Sequence, residues 1–211
     1  MRRDLTTSLL AVVVMTVFLG LLYPLAITGV SQVLFPGKAN GSKLSFDGRV
    51  VGSSLIGQDF KGKPAYFQSR PSATEYSGNV TYFSNLGPNS LEAREVVRKN
   101  LHRYLRREAP YDPALRADGT QSRDIGDFRS RRQLVPVDAV TESASGVDPH
   151  ISQANAWIQA HRVAAVRHLP LSQVEDLISA NTDGRSLGLL GEPGVNVLEL
   201  NIALDKEAPL R

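Results

Sequence analysis

The chain has 211 residues, 42% hydrophobic and 21% charged, with a formal net charge of +3 and no cysteine. That balance excludes a disordered chain and a nucleic-acid binder with a concentrated basic face. It also excludes every function that needs a disulfide, a reactive thiol, a thiolate metal ligand or a palmitoyl anchor. The length suits one soluble domain plus a small element.

From Leu5 to Gly37 no residue is charged, a run of 33. A bilayer needs roughly 20 mainly apolar residues. The run is too long for the apolar part of a signal peptide, and no small-x-small cleavage site follows it. The expected organisation is a short tail over 1–7, a transmembrane helix over 8–30, a juxtamembrane linker over 31–48 and an extracytoplasmic domain over 49–211. The fold class expected is α+β, a single N-terminal transmembrane helix followed by one mixed α/β soluble domain. Arg2 and Arg3 before the span nearly balance Lys38, Lys43 and Arg49 after it. The first flank usually dominates, so the N-terminus is expected in the cytoplasm and the domain outside. Pro24 removes a helical donor and is expected to kink the span. Thr16 and Gly20 form a small-xxx-small pair that would let a second helix approach, so Thr16, Gly20 and Pro24 are the candidate packing positions in the membrane.

In the soluble part, Arg49–Val51 reads as a strand, and so does Ala65–Gln68 in PAYFQSRP. The loop YSGNVTYFSNLGPNS, Tyr76–Ser90, carries three aromatics but no His, Lys or Cys. Asn89 with Glu92 reads as the capping box of a helix in which Val97, Leu101, Tyr104 and Leu105 recur at helical spacing. Its arginines and lysine, Arg94 to Arg107, read as a solvated face. A flexible excursion is expected over about 108–133. Val135–Val140 reads as extended, Asp148-Pro149 as a helix start, and Ser172 with Glu175 as the cap of another helix. In VNVLELNIALD, Leu198, Leu200, Ile202 and Leu204 alternate with polar or small residues, which reads as a half-buried strand.

Motif chemistry is sparse. GKANGSK and GLLGEPG lack the spacing of a phosphate-cradling loop and read as turns. SASGVD, with Ser143, Ser145, Gly146 and Asp148, is a weak candidate for a nucleotide-linked loop. The four histidines show no i, i+4 pair and no HExxH. GSSLIG is not a nucleophile elbow. Glu75, Asp138 and Asp148 are the carboxylates in informative stretches, unpaired in sequence. Read from residues alone, the chain is a membrane-anchored domain without visible catalytic machinery.

Six blocks then carry a resemblance: YPLAITGVSQVLFPGKANGS (Tyr23–Ser42), GSSLIGQDF (Gly52–Phe60), YFQSRPSA (Tyr66–Ala73), GNVTYFSNLGPNS (Gly78–Ser90), VPVDAVTESASGVDPHIS (Val135–Ser152) and GEPGVNVLELNIALD (Gly191–Asp205). In this order they make the chain resemble the C subunits (KdpC family) of the bacterial Kdp potassium-transporting P-type ATPase. Lys43, Gly194 and the SASGV stretch depart from the usual family letters. The resemblance implies an accessory subunit of a high-affinity potassium uptake complex, with no catalytic residues and no metal of its own. Implied partners are a potassium-translocating channel-like subunit, the ATP-hydrolysing P-type subunit, a small membrane peptide and the lipid bilayer, with no nucleic acid. It further implies a catalytic chaperone that raises the ATP affinity of the catalytic subunit. No cofactor is bound tightly, and ATP is linked through that partner. On this reading Tyr76, Asn79, Tyr82, Phe83 and Asn85 are the candidate partner interface. The alternative is a membrane-anchored extracytoplasmic enzyme or binding module independent of a pump.

Overall fold

The computed structural model describes residues 2–112, 115 and 135–210. Most of the excursion expected over 108–133 lies outside the described residues. The chain divides into two compact units, Met1–Lys43 and Leu44–Arg211.

The first unit is a helix of 33 residues, Arg2–Leu34, long and apolar enough to cross a membrane. It is built from α1 (Arg2–Val17), a π-helical segment (Phe18–Leu22) and α2 (Tyr23–Leu34). The distortion expected at Pro24 takes the form of that π segment. Proline offers no N–H and its ring crowds the carbonyl four residues back, here on Gly20, so the preceding turn widens. A short turn, α3 (Pro36–Ala39), follows, closed by Asn40 Nδ2 donating to the Pro36 carbonyl at 2.7 Å.

In the second unit, β1 (Lys43–Phe46) and β2 (Arg49–Ser53) form a two-stranded sheet. Their connection, Asp47 at φ 50° and Gly48 at φ 74°, is an Asp-Gly pair in the left-handed region, the chemistry of a tight hairpin. The linker expected up to residue 48 thus already contains a strand. Helix α4 (Leu91–Glu108) is capped by Ser90, whose hydroxyl accepts from Ala93 N, one residue later than the Asn89 expected. Its basic face is solvated at Arg94, Arg98, Lys99, Arg103 and Arg106, whereas Arg107, expected on the same face, is half-buried against Glu108 and the Tyr104 ring. Val137–Ala139 is a single 3₁₀ turn rather than an extended segment.

A three-stranded antiparallel sheet, in the order β3 (His150–Ile151), β5 (Gly194–Asn196), β4 (Thr182–Asp183), anchors the core with α5 (Gln153–Arg167), α6 (Leu171–Ala180) and α7 (Val197–Glu207). Phe67, Ile151, Val163, Ile178, Val195, Leu200 and Leu204 meet in its centre. A second cluster gathers Leu101 and Tyr104 of α4 with Val135, Ala139 and Val140.

The α5 cap is Ser152, not Asp148: its hydroxyl accepts from Asn155 N at 3.2 Å, and Asp138 holds it from behind at 2.8 Å. Helix α6 starts at Leu171 behind Pro170, so Ser172 lies inside the first turn. VLELNIALDKE is helix α7, not a strand. Asn196 caps it by accepting from Glu199 N at 3.1 Å, and Val197, Leu200, Asn201 and Leu204 are buried at helical spacing.

The 65–68 segment is not the strand expected: Ala65 and Tyr66 lie in a turn, with Tyr66 N donating to Lys63 O at 3.2 Å, and Phe67 and Gln68 pair with no strand. Side chains from α5 and α7 satisfy its backbone instead. Asn201 accepts from Phe67 N at 2.9 Å and donates to Phe67 O at 3.0 Å. Gln159 does the same for Gln68, at 2.7 and 3.1 Å. Arg167 Nε donates to Ala65 O at 2.7 Å and Arg162 Nη1 to Tyr66 O at 2.9 Å. A buried backbone must be partnered, and primary amides offer the same donor and acceptor as a neighbouring strand.

Candidate functional site

Two stretches singled out separately in the sequence fold onto each other. Ser72 Oγ donates to Gly146 O at 2.6 Å and Thr74 Oγ1 to the same oxygen at 3.1 Å. Ser143 N donates to Pro71 O at 2.9 Å and Tyr82 N to Ser145 O at 3.3 Å. Arg70 Nη1 meets Asp148 Oδ2 at 3.0 Å. Gly57 N donates to Val147 O at 2.7 Å. The approach there is so close that a side chain on Gly57 would place its Cβ 2.4 Å from Asp148 O.

Ser143, Ser145, Gly146 and Asp148 occupy one another. Ser143 Oγ accepts from Gly146 N at 3.0 Å and from Asp148 N at 3.3 Å, and Ser145 Oγ accepts from Val147 N at 3.2 Å. A phosphate-cradling loop needs backbone donors facing outward, and these three face inward onto serine oxygens. The hydroxyls therefore serve the turn that presents the 72–85 loop.

Within that loop the candidate residues part company. Tyr82 and Phe83 are exposed, at 51% and 46%. Asn79 and Asn85 are exposed beside them; Asn79 accepts from the Ser77 hydroxyl, and Asn85, at φ 55°, donates to Phe83 O at 3.2 Å. Tyr76 turns inward. Glu75 and Tyr76 both lie in the left-handed region, at φ 51° and 60°, and Ser72 Oγ accepts from Tyr76 N at 3.1 Å. This strained turn aims the phenol into a cleft of about 440 Å³, lined by segments 58–62, 68–72 and 75–76 and by Asn100, Arg103, Tyr104 and Arg107 of α4. The Tyr76 hydroxyl and Arg70 Nε are buried there without a hydrogen-bond partner. Burial raises the Tyr76 pKa; the Ser69 side chain opposes this from close by but lies outside hydrogen-bond geometry.

Two of the three carboxylates singled out have structural tasks. Asp138 holds the α5 cap, Asp148 pairs with Arg70 and accepts from His150 N at 3.0 Å, and Glu75 is exposed. Among the described residues, no three His, Asp or Glu side chains gather as a metal site. In the long helix, Thr16 lies in the last turn of α1, Gly20 in the π segment and Pro24 in the first turn of α2, all exposed. A Cβ on Gly20 would stand 4.0 Å from the Thr16 methyl, which puts the two on one face. Sequence reasoning read GLLGEPG as a turn but passed over the leucines there: Leu187, Leu189 and Leu190 are exposed at 92%, 80% and 63%. Three leucines at a predicted turn were the available signal.

A family model described as KdpC: K+-transporting ATPase, c chain, matches residues 5–206. The chain is 43% identical over 212 residues to a potassium-transporting ATPase KdpC subunit of Koribacter versatilis, covering 100% of this chain and 98% of the relative. It is 48% identical over 203 residues to one of Myxococcus xanthus, covering 95% and 86%. With one of Mycobacterium tuberculosis (strain H37Rv) it shares 44% over 208 residues, covering 98% and 100%.

Proposed function

Because this chain belongs to the KdpC family, the c chains of K+-transporting ATPases, we propose that it is the accessory subunit that stabilises a high-affinity potassium uptake complex. Its partners in this reading are the channel-like potassium-translocating subunit, the ATP-hydrolysing P-type subunit and a small membrane peptide. The full-length family match carries the proposal. The long apolar helix supports it by supplying an anchor that spans the bacterial cell membrane, with Thr16, Gly20 and Pro24 on the surface offered to neighbouring helices. The N-terminus lies in the cytoplasm and the 49–211 domain outside.

In this role the subunit acts as a catalytic chaperone. It raises the ATP affinity of the catalytic partner through assembly rather than by holding the nucleotide. The inward-facing donors of the 143–148 turn support that division of labour. Tyr82 and Phe83, with Asn79 and Asn85 beside them, form the docking edge on the potassium-translocating subunit. Exposed aromatics on a backbone fixed from behind are the usual anchors of an interface.

The test is affinity purification of the tagged chain in mild detergent from potassium-starved cells, with ATP hydrolysis assayed on the eluate. Co-elution of a P-type ATPase and a large polytopic subunit, with potassium-stimulated hydrolysis, supports the assignment. A lone chain from cells shown to express the pump sinks it and brings forward an anchored enzyme or an independent binding module. A cysteine introduced at exposed Asn89 in this cysteine-free chain reports the side of the membrane by labelling whole cells with an impermeant reagent.

A further inference from the structure

The cleft beside Tyr76 is bordered by two turns held in the left-handed region. Among the described residues, eight other than glycine stand at positive φ, and three of them, Lys61, Glu75 and Tyr76, line this one cleft. Such strain persists only where the surroundings over-determine it, and it clusters at ligand clamps. The Lys61 turn is pinned from both ends: Asp59 Oδ1 accepts from Lys61 N at 2.7 Å, and Gln68 Oε1 accepts from Gly62 N at 3.1 Å. The Lys61 side chain therefore leaves a fixed backbone.

Four cations line the cleft, Lys61, Arg70, Arg103 and Arg107, against two carboxylates, Asp59 and Glu75. Lys61 and Arg103 have no ion-pair partner among the described residues. Arg107 shares Glu108 with the buried Arg162, so one carboxylate answers two guanidiniums. Arg70 spends Nη1 on Asp148, while its Nε and the Tyr76 hydroxyl are buried without a partner. Both groups can donate, and the Nε can do nothing else. The cleft thus holds a surplus of donors and of positive charge. We propose that it binds a phosphate group, carried by a small soluble anion or by a lipid headgroup.

Charge and geometry select that class. The cations arrive from three segments: Lys61 from the 58–62 turn, Arg70 from the 68–72 stretch, and Arg103 and Arg107 from α4. A planar carboxylate satisfies one guanidinium fork well. A tetrahedral phosphate turns oxygens to several sides at once and carries up to about two negative charges. Lys61 and Arg103 are exposed, so their long side chains are free to close onto a bound group from the mouth. Once bound, the group ties the base of the 72–85 loop to α4. Ser143, Ser145, Gly146 and Asp148 do not line the cleft, so the site is separate from the 143–148 turn.

The experiment titrates the full chain by calorimetry, in mild detergent and phosphate-free buffer of fixed ionic strength. The probes are inorganic phosphate, glycerophosphoglycerol as the soluble headgroup of an anionic lipid, and acetate. The expected result is saturable one-to-one binding of a phosphate probe with a Kd of about 1 mM or tighter, and acetate at least about tenfold weaker. The tighter of the two phosphate probes names the source, free anion or lipid. Lys61→Gln combined with Arg103→Gln should weaken binding about tenfold or more. Both side chains are exposed, so the circular dichroism should match the wild type. Arg94→Gln combined with Arg98→Gln removes the same charge from exposed positions on α4 outside the cleft and should bind like wild type. No saturable binding up to about 20 mM, acetate held as tightly as phosphate, or an equal loss in the Arg94 and Arg98 variant overturns the site. Co-purification with a pump plays no part in this readout, so its failure leaves the assembly reading standing.

Discussion

His150 on β3 and Asp183 on β4 meet at 2.9 Å across the strand that separates them. The pair closes over Gly194 of β5, and a Cβ there would come within 3.3 Å of the His150 Cβ. A small residue on the central strand thus lets the two edges join. Glu199, in the first turn of α7, feels the same corner: burial raises its pKa first, Asp183 adds to the rise, and His150 opposes it. The native state therefore holds this proton more tightly than the unfolded chain does. Stability from this group is complete below the ordinary glutamate value and is lost as pH rises through the native one. Glu199→Gln should raise the urea midpoint at pH 7 and give no gain at pH 4. An unchanged difference between the two pH values would remove the effect.

The Tyr76 hydroxyl is buried without a partner. Leaving such a group unsatisfied costs about 1–3 kcal/mol. Tyr76→Phe keeps the ring and should stabilise the domain by about 1 kcal/mol in urea unfolding. A loss of stability would mean that the hydroxyl has a partner in solution.

Glu108 is fully buried between Arg162 at 2.9 Å and Arg107 at 2.6 Å. Glu108→Ala strands Arg162 in the interior and loosens the side-chain support of the 64–68 segment. The expected cost is about 3–5 kcal/mol, visible as a lowered thermal midpoint.

Gly146 sits at φ 73°, and a Cβ would fall 2.6 Å from Thr74 Oγ1. Gly146→Ala should therefore separate the 72–85 loop from the 143–148 turn, at a cost of about 1–3 kcal/mol. Faster proteolysis within the loop, with the core sheet still protected from hydrogen exchange, is the expected signature.

Tyr82→Ala with Phe83→Ala removes two exposed rings without opening the core. If these are the anchors proposed above, the pair should cost about 2 kcal/mol or more of assembly free energy, roughly 30-fold in affinity. Complex yield and potassium uptake from dilute medium measure it, and wild-type values for both would discard the docking edge.

The sequence by itself determined the apolar helix, the apolar face of α4 and the presence of a mixed domain behind that helix. These follow from runs and spacings within one segment, and a bilayer or a helix face responds to that local order. It did not determine α7. Leu198, Leu200, Ile202 and Leu204 fit period two as well as helical spacing, and the Asn196 cap with Glu199 three residues on was the local signal that favoured helix. Only the tertiary structure decided the rest. The 65–68 segment is held without a partner strand because Asn201, Gln159, Arg162 and Arg167 arrive from two helices to partner its backbone, 91 to 134 residues away for the two amides. Tyr76 points inward and Tyr82 outward for the same kind of reason. Side-chain direction there is set by hydrogen bonds between segments some 70 residues apart, Ser72 to Gly146 being 74, and no spacing within a loop encodes them.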